Sequence, residues 1–82
     1  MATVLRFLSY DVVICSNDHR PCHVHVMSNE HEAVFDLHCP DGPPALRENY
    51  GFRRSVLVVI AAKLGERMSA LCTRWSEIHG SY

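Results

Sequence analysis

The hydrophobic pattern of this 82-residue chain changes its period near Arg53. Before that point, apolar and polar residues alternate in short runs, which is typical of half-buried β-strands. After it, apolar residues recur every three or four positions, which is typical of an amphipathic helix. The positions of this helical stripe are Val56, Ile60, Leu64, Met68, Leu71, Trp75 and Ile78. A strand-rich first half and a helical second half predict an α+β fold.

Two alternating runs, residues 22–27 and 32–37, predict a β-hairpin around the short polar stretch between them. A turn at that stretch matches the apolar faces of both runs and places His23 opposite Asp36. His25 lies two residues further along the same strand, so its side chain shares the face of His23. The full predicted register pairs Met27 with Glu32, Val26 with Ala33, Val24 with Phe35 and His23 with Asp36.

Three further segments favour strands, at residues 4–8, 10–14 and 45–48. The length allows one domain, so residues 1–82 are predicted to form an antiparallel β-meander of three to five strands packed on a C-terminal helix. Gly65 lies within the helical stripe and weakens a helix, which leaves a continuous helix and one broken near Gly65 both open.

Length and charge exclude several classes of protein. A chain of this size cannot contain a Rossmann domain or a TIM barrel. The net charge of -1 gives no overall attraction to nucleic acid or to an anionic membrane. The longest apolar run, residues 56–62, is too short to span a bilayer, so no membrane association is predicted.

Histidine is the compositional anomaly, because five of the six histidines fall between positions 19 and 38. One hypothesis is a metal site in which His19, His23 and His25 bind a divalent ion, with Asp36 or water as the fourth ligand. Imidazole nitrogens are the commonest metal ligands in proteins.

A second hypothesis is metal-free acid–base catalysis on RNA by His19, His23, His25 and Asp36. In this interpretation Asp36 orients His23, and another histidine supplies the complementary proton. Arg20 or Arg47 is the candidate for stabilising an anionic transition state. A purely structural role, with the histidines on a solvated sheet face, stays open beside both hypotheses.

The four cysteines form no C-x-x-C pair, and the N-terminal residues lack the pattern of a signal peptide. These features predict a cytoplasmic protein with reduced thiols. Cys22 is predicted to pack on the strand face opposite His23.

The second half of the chain is basic, with five basic and two acidic residues after position 52. Lys63, Arg67 and Arg74 share a helical stripe, which suits either RNA phosphates or a solvated helix face. The strongly apolar segment 56–62 is hard to bury within so small a chain, and therefore predicts a homodimer.

Four segments of the sequence together resemble a known family. They are D-H-x-P-x-H-V-H-V, E-A-x-F-D-L, L-R-E-N-Y-G-F and C-x-x-W-x-E-I-H-G, between Arg6 and Gly80. They resemble the small bacterial family named domain of unknown function 4160, although Cys22 stands where the family usually has a second proline.

The resemblance implies a small protein encoded beside a small cognate partner protein, in some cases as part of a toxin–antitoxin pair. Its signature maps to Asp18, His19, Pro21, His23 and His25, without assigning chemistry to them. The main functional expectation is a toxin–antitoxin-like protein whose histidine cluster is a catalytic or metal site, with RNA as a candidate substrate. The alternative is a non-enzymatic module that binds a partner protein.

Overall fold

A computed structural model describes residues 2–80, which form a five-stranded antiparallel sheet followed by two helices. The strands are β1 (Ala2–Phe7), β2 (Tyr10–Ile14), β3 (His23–Met27), β4 (Glu32–Asp36) and β5 (Ala45–Tyr50), and the helices are α1 (Arg54–Gly65) and α2 (Met68–His79). The strands lie in chain order across the sheet, so the architecture is the predicted α+β meander. Neither helix of this described range has the length and apolar character needed to cross a membrane.

The β3–β4 hairpin has the predicted register. His23 lies opposite Asp36, Val24 opposite Phe35, Val26 opposite Ala33 and Met27 opposite Glu32. The polar turn is closed by two hydrogen bonds, from Ser28 N–H to the His31 carbonyl at 2.9 Å and from His31 N–H to Ser28 Oγ at 3.1 Å. The hydrophobic alternation and the turn length therefore select the same pairing.

The core forms between one face of the sheet and both helices. Every position of the helical stripe contributes to it, either fully buried or packed at its margin. Alternate positions of the central strands supply the opposing side chains, including Val12, Val24 and Phe35. The other face of β3 carries His23 and His25, so strand alternation separates the histidines from most of the core.

The helical segment is broken, as the weak helix propensity of Gly65 allows. The α1 helix ends at Gly65, and the next two amides bond back to the carbonyls of Ala62 and Leu64. The second helix ends at Gly80, whose φ of 86° suits glycine, and its N–H bonds the Ser76 carbonyl at 2.7 Å.

The prediction of reduced thiols is wrong for two of the four cysteines. A disulfide joins Cys39, in the loop after β4, to Cys72 of α2, with their Cα atoms 5.7 Å apart. That loop folds against α2, so cysteines 33 positions apart become neighbours, which their spacing in the sequence does not reveal. Cys15 and Cys22 are free thiols, and Cys22 packs in the core as predicted.

Candidate functional site

His25 is held between two carboxylates. Its Nδ1 lies 3.0 Å from Glu32 Oε2, and its Nε2 lies 3.3 Å from Asp18 Oδ1. Glu32 reaches the ring because it pairs with Met27, which makes it the diagonal cross-strand neighbour of His25 on the same face. Asp18 approaches from the loop between β2 and β3. Both ring nitrogens therefore have a polar partner, which fixes the plane of the imidazole.

Asp18 is turned towards β3 by a tight turn. Its backbone N–H donates to the Cys15 carbonyl at 3.0 Å, and its Oδ2 accepts the Cys15 N–H at 3.0 Å. This is the turn-capping role expected of a short acidic side chain. Burial by itself raises the pKa of Asp18. The hydrogen bonds from Cys15 and His25 and the charges of His23 and His25 outweigh it, and the pKa is lower than usual.

His23 is the most buried polar side chain of the site, with 6% of its surface exposed. Its Nδ1 donates to the Pro21 carbonyl at 2.9 Å, because a carbonyl oxygen can only accept. Its Nε2 consequently faces Asp18 Oδ2, at 3.4 Å. The ring also packs against Trp75 of α2, with the two centroids 5.2 Å apart. The His23 ring is therefore in contact with both Trp75 of α2 and the Asp18 carboxylate.

Asp36 lies opposite His23 in the register, but its carboxylate is not the partner of that ring. Its Oδ1 pairs with Arg47 Nη2 of β5 at 2.5 Å. The hairpin register places the backbones of His23 and Asp36 opposite each other. The orientation of the Asp36 carboxylate is set by its ion pair with Arg47 on the neighbouring strand. Asp18 takes the place beside the histidines that the sequence assigned to Asp36.

His19 lies on the exposed loop before Pro21. Among residues 2–80, no hydrogen bond or ring contact joins it to His23 or His25. The structure therefore brings together two of the three predicted histidines, whose ring centroids are 5.3 Å apart.

Cys15 completes the cluster and was missed by the sequence analysis. Its Sγ, an Asp18 carboxylate oxygen and a His25 ring nitrogen all lie within 4.8 Å of one another, which makes them a set of metal-capable ligands. Cys15 faces His25 because Val13 pairs with His25 and Cys15 lies two residues further along that face. Burial, followed by the charge of Asp18, raises the pKa of the Cys15 thiol.

The signals for the missed residues differ. Glu32 follows from the hairpin register, because that register makes it diagonal to His25. Cys15 and Asp18 depend on the pairing of β2 with β3 across an eight-residue connection, residues 15–22, whose path the sequence pattern leaves undetermined.

The histidine-bearing strand lies within a region that matches a family model. The model described as Domain of unknown function (DUF4160) covers residues 10–76. The chain belongs to this family. The range matched by the DUF4160 model includes Cys15, the carboxylates of Asp18 and Glu32, the clustered histidines His23 and His25, and Trp75. Neither the curated proteins nor the solved structures contain a match to the chain.

The arrangement contains a thiol, two imidazoles and two carboxylates close together on one side of the sheet. Such a set suits a borderline-soft cation, because thiolate, imidazole and carboxylate are all ligands of zinc. It also contains paired acids and bases. Metal binding requires Cys15 and Asp18 to act as anionic ligands, whereas acid–base catalysis requires groups that give and take a proton.

Proposed function

We propose that this chain binds a divalent metal ion, best matched by Zn²⁺, through Cys15, Asp18 and His25. The observation that carries the proposal is the convergence of a sulfur, an oxygen and a nitrogen ligand within 4.8 Å. The histidine cluster of the sequence prediction is thereby kept as a metal site, with His25 as its imidazole ligand and with Cys15 and Asp18 in place of His19 and His23.

The spacing of the ligand atoms supports a tetrahedral ion. Adjacent ligand atoms lie about 3.3–3.4 Å apart around a tetrahedral metal with bonds of about 2.0–2.1 Å to nitrogen and oxygen. His25 Nε2 lies 3.3 Å from both carboxylate oxygens of Asp18. Only small movements are then needed for both side chains to bind one ion.

The outer contacts support the same assignment. A metal-binding histidine generally donates its second ring N–H to a carboxylate or carbonyl, which fixes the tautomer. Glu32 occupies that position against His25 Nδ1 at 3.0 Å. His23 Nε2 faces the Asp18 carboxylate at 3.4 Å, and so His23 positions a ligand instead of serving as one.

The thiol argues against a metal-free nucleophile. A nucleophilic cysteine needs a depressed pKa, but the pKa of Cys15 is raised by burial and by Asp18. A metal ion replaces the thiol proton and removes this obstacle. Three protein ligands leave a fourth position for water or substrate, which is the arrangement of catalytic rather than structural zinc.

Metal binding is tested by elemental analysis and by competition titration of the purified chain with Zn²⁺. We expect one ion per chain, and loss of at least about tenfold in affinity in Cys15→Ser, Asp18→Asn and His25→Gln. His19→Ala is the matched control, because it removes a nearby exposed imidazole. Full retention of the ion by Asp18→Asn and His25→Gln, or its loss from His19→Ala alone, contradicts this ligand set.

The toxin–antitoxin role and the RNA substrate remain predictions, supported by the family resemblance and by the proposed metal site. They predict that expression of the chain alone arrests growth in the cytoplasm of a bacterial host. His25→Gln should relieve the arrest and His19→Ala should not. Unrestricted growth with the folded parent chain counts against a toxin.

A second candidate function is an interaction module, favoured by an exposed apolar patch. Leu8 and Val59 are 56% and 42% exposed and line a shallow depression of about 640 Å³. Val58, on the same helix as Val59, is 63% exposed. The exposed side of α1 between Ser55 and Ala62 carries no charge, so the patch is compatible with its own copy across a two-fold axis. We therefore assign a second copy of the chain as its occupant.

The dimer is tested by light scattering over a concentration series. We expect Val58→Asp to produce monomers, because it buries a charge at the proposed interface. Leu46→Asp is the matched control, as Leu46 is 46% exposed on β5 outside the patch. A monomeric parent chain at all concentrations excludes the dimer and leaves a different partner protein as the alternative.

A further inference from the structure

A cluster of three cysteines lies on the core side of the sheet, where β3 begins. The disulfide Cys39–Cys72 ties the loop after β4 to α2, and the free thiol of Cys22 lies beside it. Cys22 Sγ accepts the backbone N–H of Cys39 at 3.3 Å. Cys22 is 4% exposed, and the metal-site proposal does not use it.

Cys22 is fixed to the disulfide-bearing segment by two contacts. Its carbonyl accepts the Leu37 N–H at 3.1 Å, which continues the strand pairing beyond the end of β4. Its sulfur accepts the Cys39 amide two residues later. Because the N–Cα bond is about 1.46 Å long, the sulfur lies within about 5 Å of the Cys39 Cα. The contact therefore brings the Cys22 sulfur close to the residue whose sulfur it would attack.

The hydrogen bond also orients the Cys22 sulfur towards Cys39. The thiolate is the attacking species in thiol–disulfide exchange. The disulfide that the thiolate would attack is also present, since Cys39 is bonded to Cys72.

We propose that Cys22, Cys39 and Cys72 form an internal thiol–disulfide exchange site. The thiolate of Cys22 attacks Sγ of Cys39, the Cys39–Cys72 bond breaks, and Cys72 leaves as a thiolate. That thiolate takes up a proton equivalent to the one that Cys22 released, so the step needs no external oxidant or reductant. Exchange frees α2 from the loop after β4 and ties that loop to the start of β3.

Cys15 is the natural internal reference for this site. It is the other free thiol, but it lies beside Asp18 and His25 on the opposite face of the sheet. Exchange governed by the structure must therefore use Cys22 and spare Cys15. The proposal is independent of metal binding, because none of its three residues is a proposed ligand.

The first experiment oxidises the Cys72→Ser variant with oxidised glutathione and maps its disulfides by mass spectrometry. Each of two successive exchanges releases one reduced glutathione, and we expect Cys22–Cys39 to be the main product. Cys72→Ser,Cys22→Ser is the matched control and should retain glutathione on Cys39. A folded Cys72→Ser chain that keeps glutathione on Cys39 with Cys22 free, or that links Cys15, overturns the proposal.

The second experiment uses the parent chain and does not depend on how the variant folds. The disulfide-containing protein is incubated at mildly alkaline pH, quenched in acid, unfolded and alkylated. We expect alkylated Cys72 to appear together with a Cys22–Cys39 disulfide, and to be absent from Cys22→Ser. If Cys15 and Cys22 alone are alkylated after every incubation time, internal exchange does not occur.

Discussion

The two faces of β3 carry different chemistry within a few residues. On one face, His23 and His25 meet the carboxylates of Asp18 and Glu32. On the other, Cys22 lies against the Cys39–Cys72 disulfide. The period of two along an extended strand is what separates them, because a one-residue slip would turn the thiol to the carboxylates and the rings to the core.

The comparison also shows that the two clusters are held differently. The imidazole cluster is assembled mostly from local elements, namely one hairpin and the turn before it. The sulfur cluster needs α2, which contributes Cys72 from 33 positions away. Perturbing the helix should therefore affect the sulfur cluster more than the imidazole cluster, apart from the one ring contact that they share.

That shared contact gives the largest expected effect. Trp75 is fully buried, belongs to the core, and packs on His23. Trp75→Ala should lower the free energy of unfolding by about 3–5 kcal/mol, because it opens a large cavity. Chemical denaturation followed by circular dichroism measures the loss. Thr73→Ala, at an exposed position of the same helix, is the control, and equal stability of the two variants would contradict the packing.

Removing the disulfide sharpens the separation between the faces. Closing a 33-residue separation stabilises a fold by about 3–4 kcal/mol in the chain-entropy model. Cys39→Ala,Cys72→Ala should therefore show a lower Tm and an affinity for Zn²⁺ similar to that of the parent chain. A large loss of metal affinity in the folded variant would mean that the clusters are coupled through α2.

The hairpin was predictable because two independent signals agree on it. The apolar alternation fixes the faces of both strands, and the length of the polar turn fixes the register. The same agreement holds for the helical stripe, all of which enters the core. Local pattern therefore predicts the backbone positions of His23, His25 and Asp36 correctly.

The partners of these side chains were not predictable in the same way. Asp36 turns to Arg47 because a cation on β5 competes for it, and that strand carries no strong pattern. Asp18 reaches β3 through an irregular connection, where side-chain hydrogen bonds and not periodicity determine the path. The disulfide depends on a loop contacting a helix, which residue spacing does not encode.

Asp18→Asn tests the imidazole face through its pH dependence. The pKa of Asp18 is lowered in the fold, so its carboxylate stabilises the metal-free protein above the unfolded-state pKa of about 3.9, and this contribution is lost as pH falls through the folded pKa. At neutral pH the substitution should cost about 1–3 kcal/mol. Denaturation of metal-free protein across pH 2–7 should show the difference shrinking in acid, whereas a constant difference would rule out a charge effect.

Glu32→Gln should have the smallest effect on folding and the most selective effect on the site. Glu32 is 39% exposed in its side chain, so removing its charge should change stability by less than about 1 kcal/mol. Its contact with His25 Nδ1 orients the proposed ligand, and losing such a contact typically lowers metal affinity about 10–100-fold. Zn²⁺ competition titration beside Glu30→Gln, an exposed acidic neighbour in the turn, separates orientation from general charge. Equal Zn²⁺ affinities of these two variants would show that Glu32 acts only through its negative charge and does not orient His25.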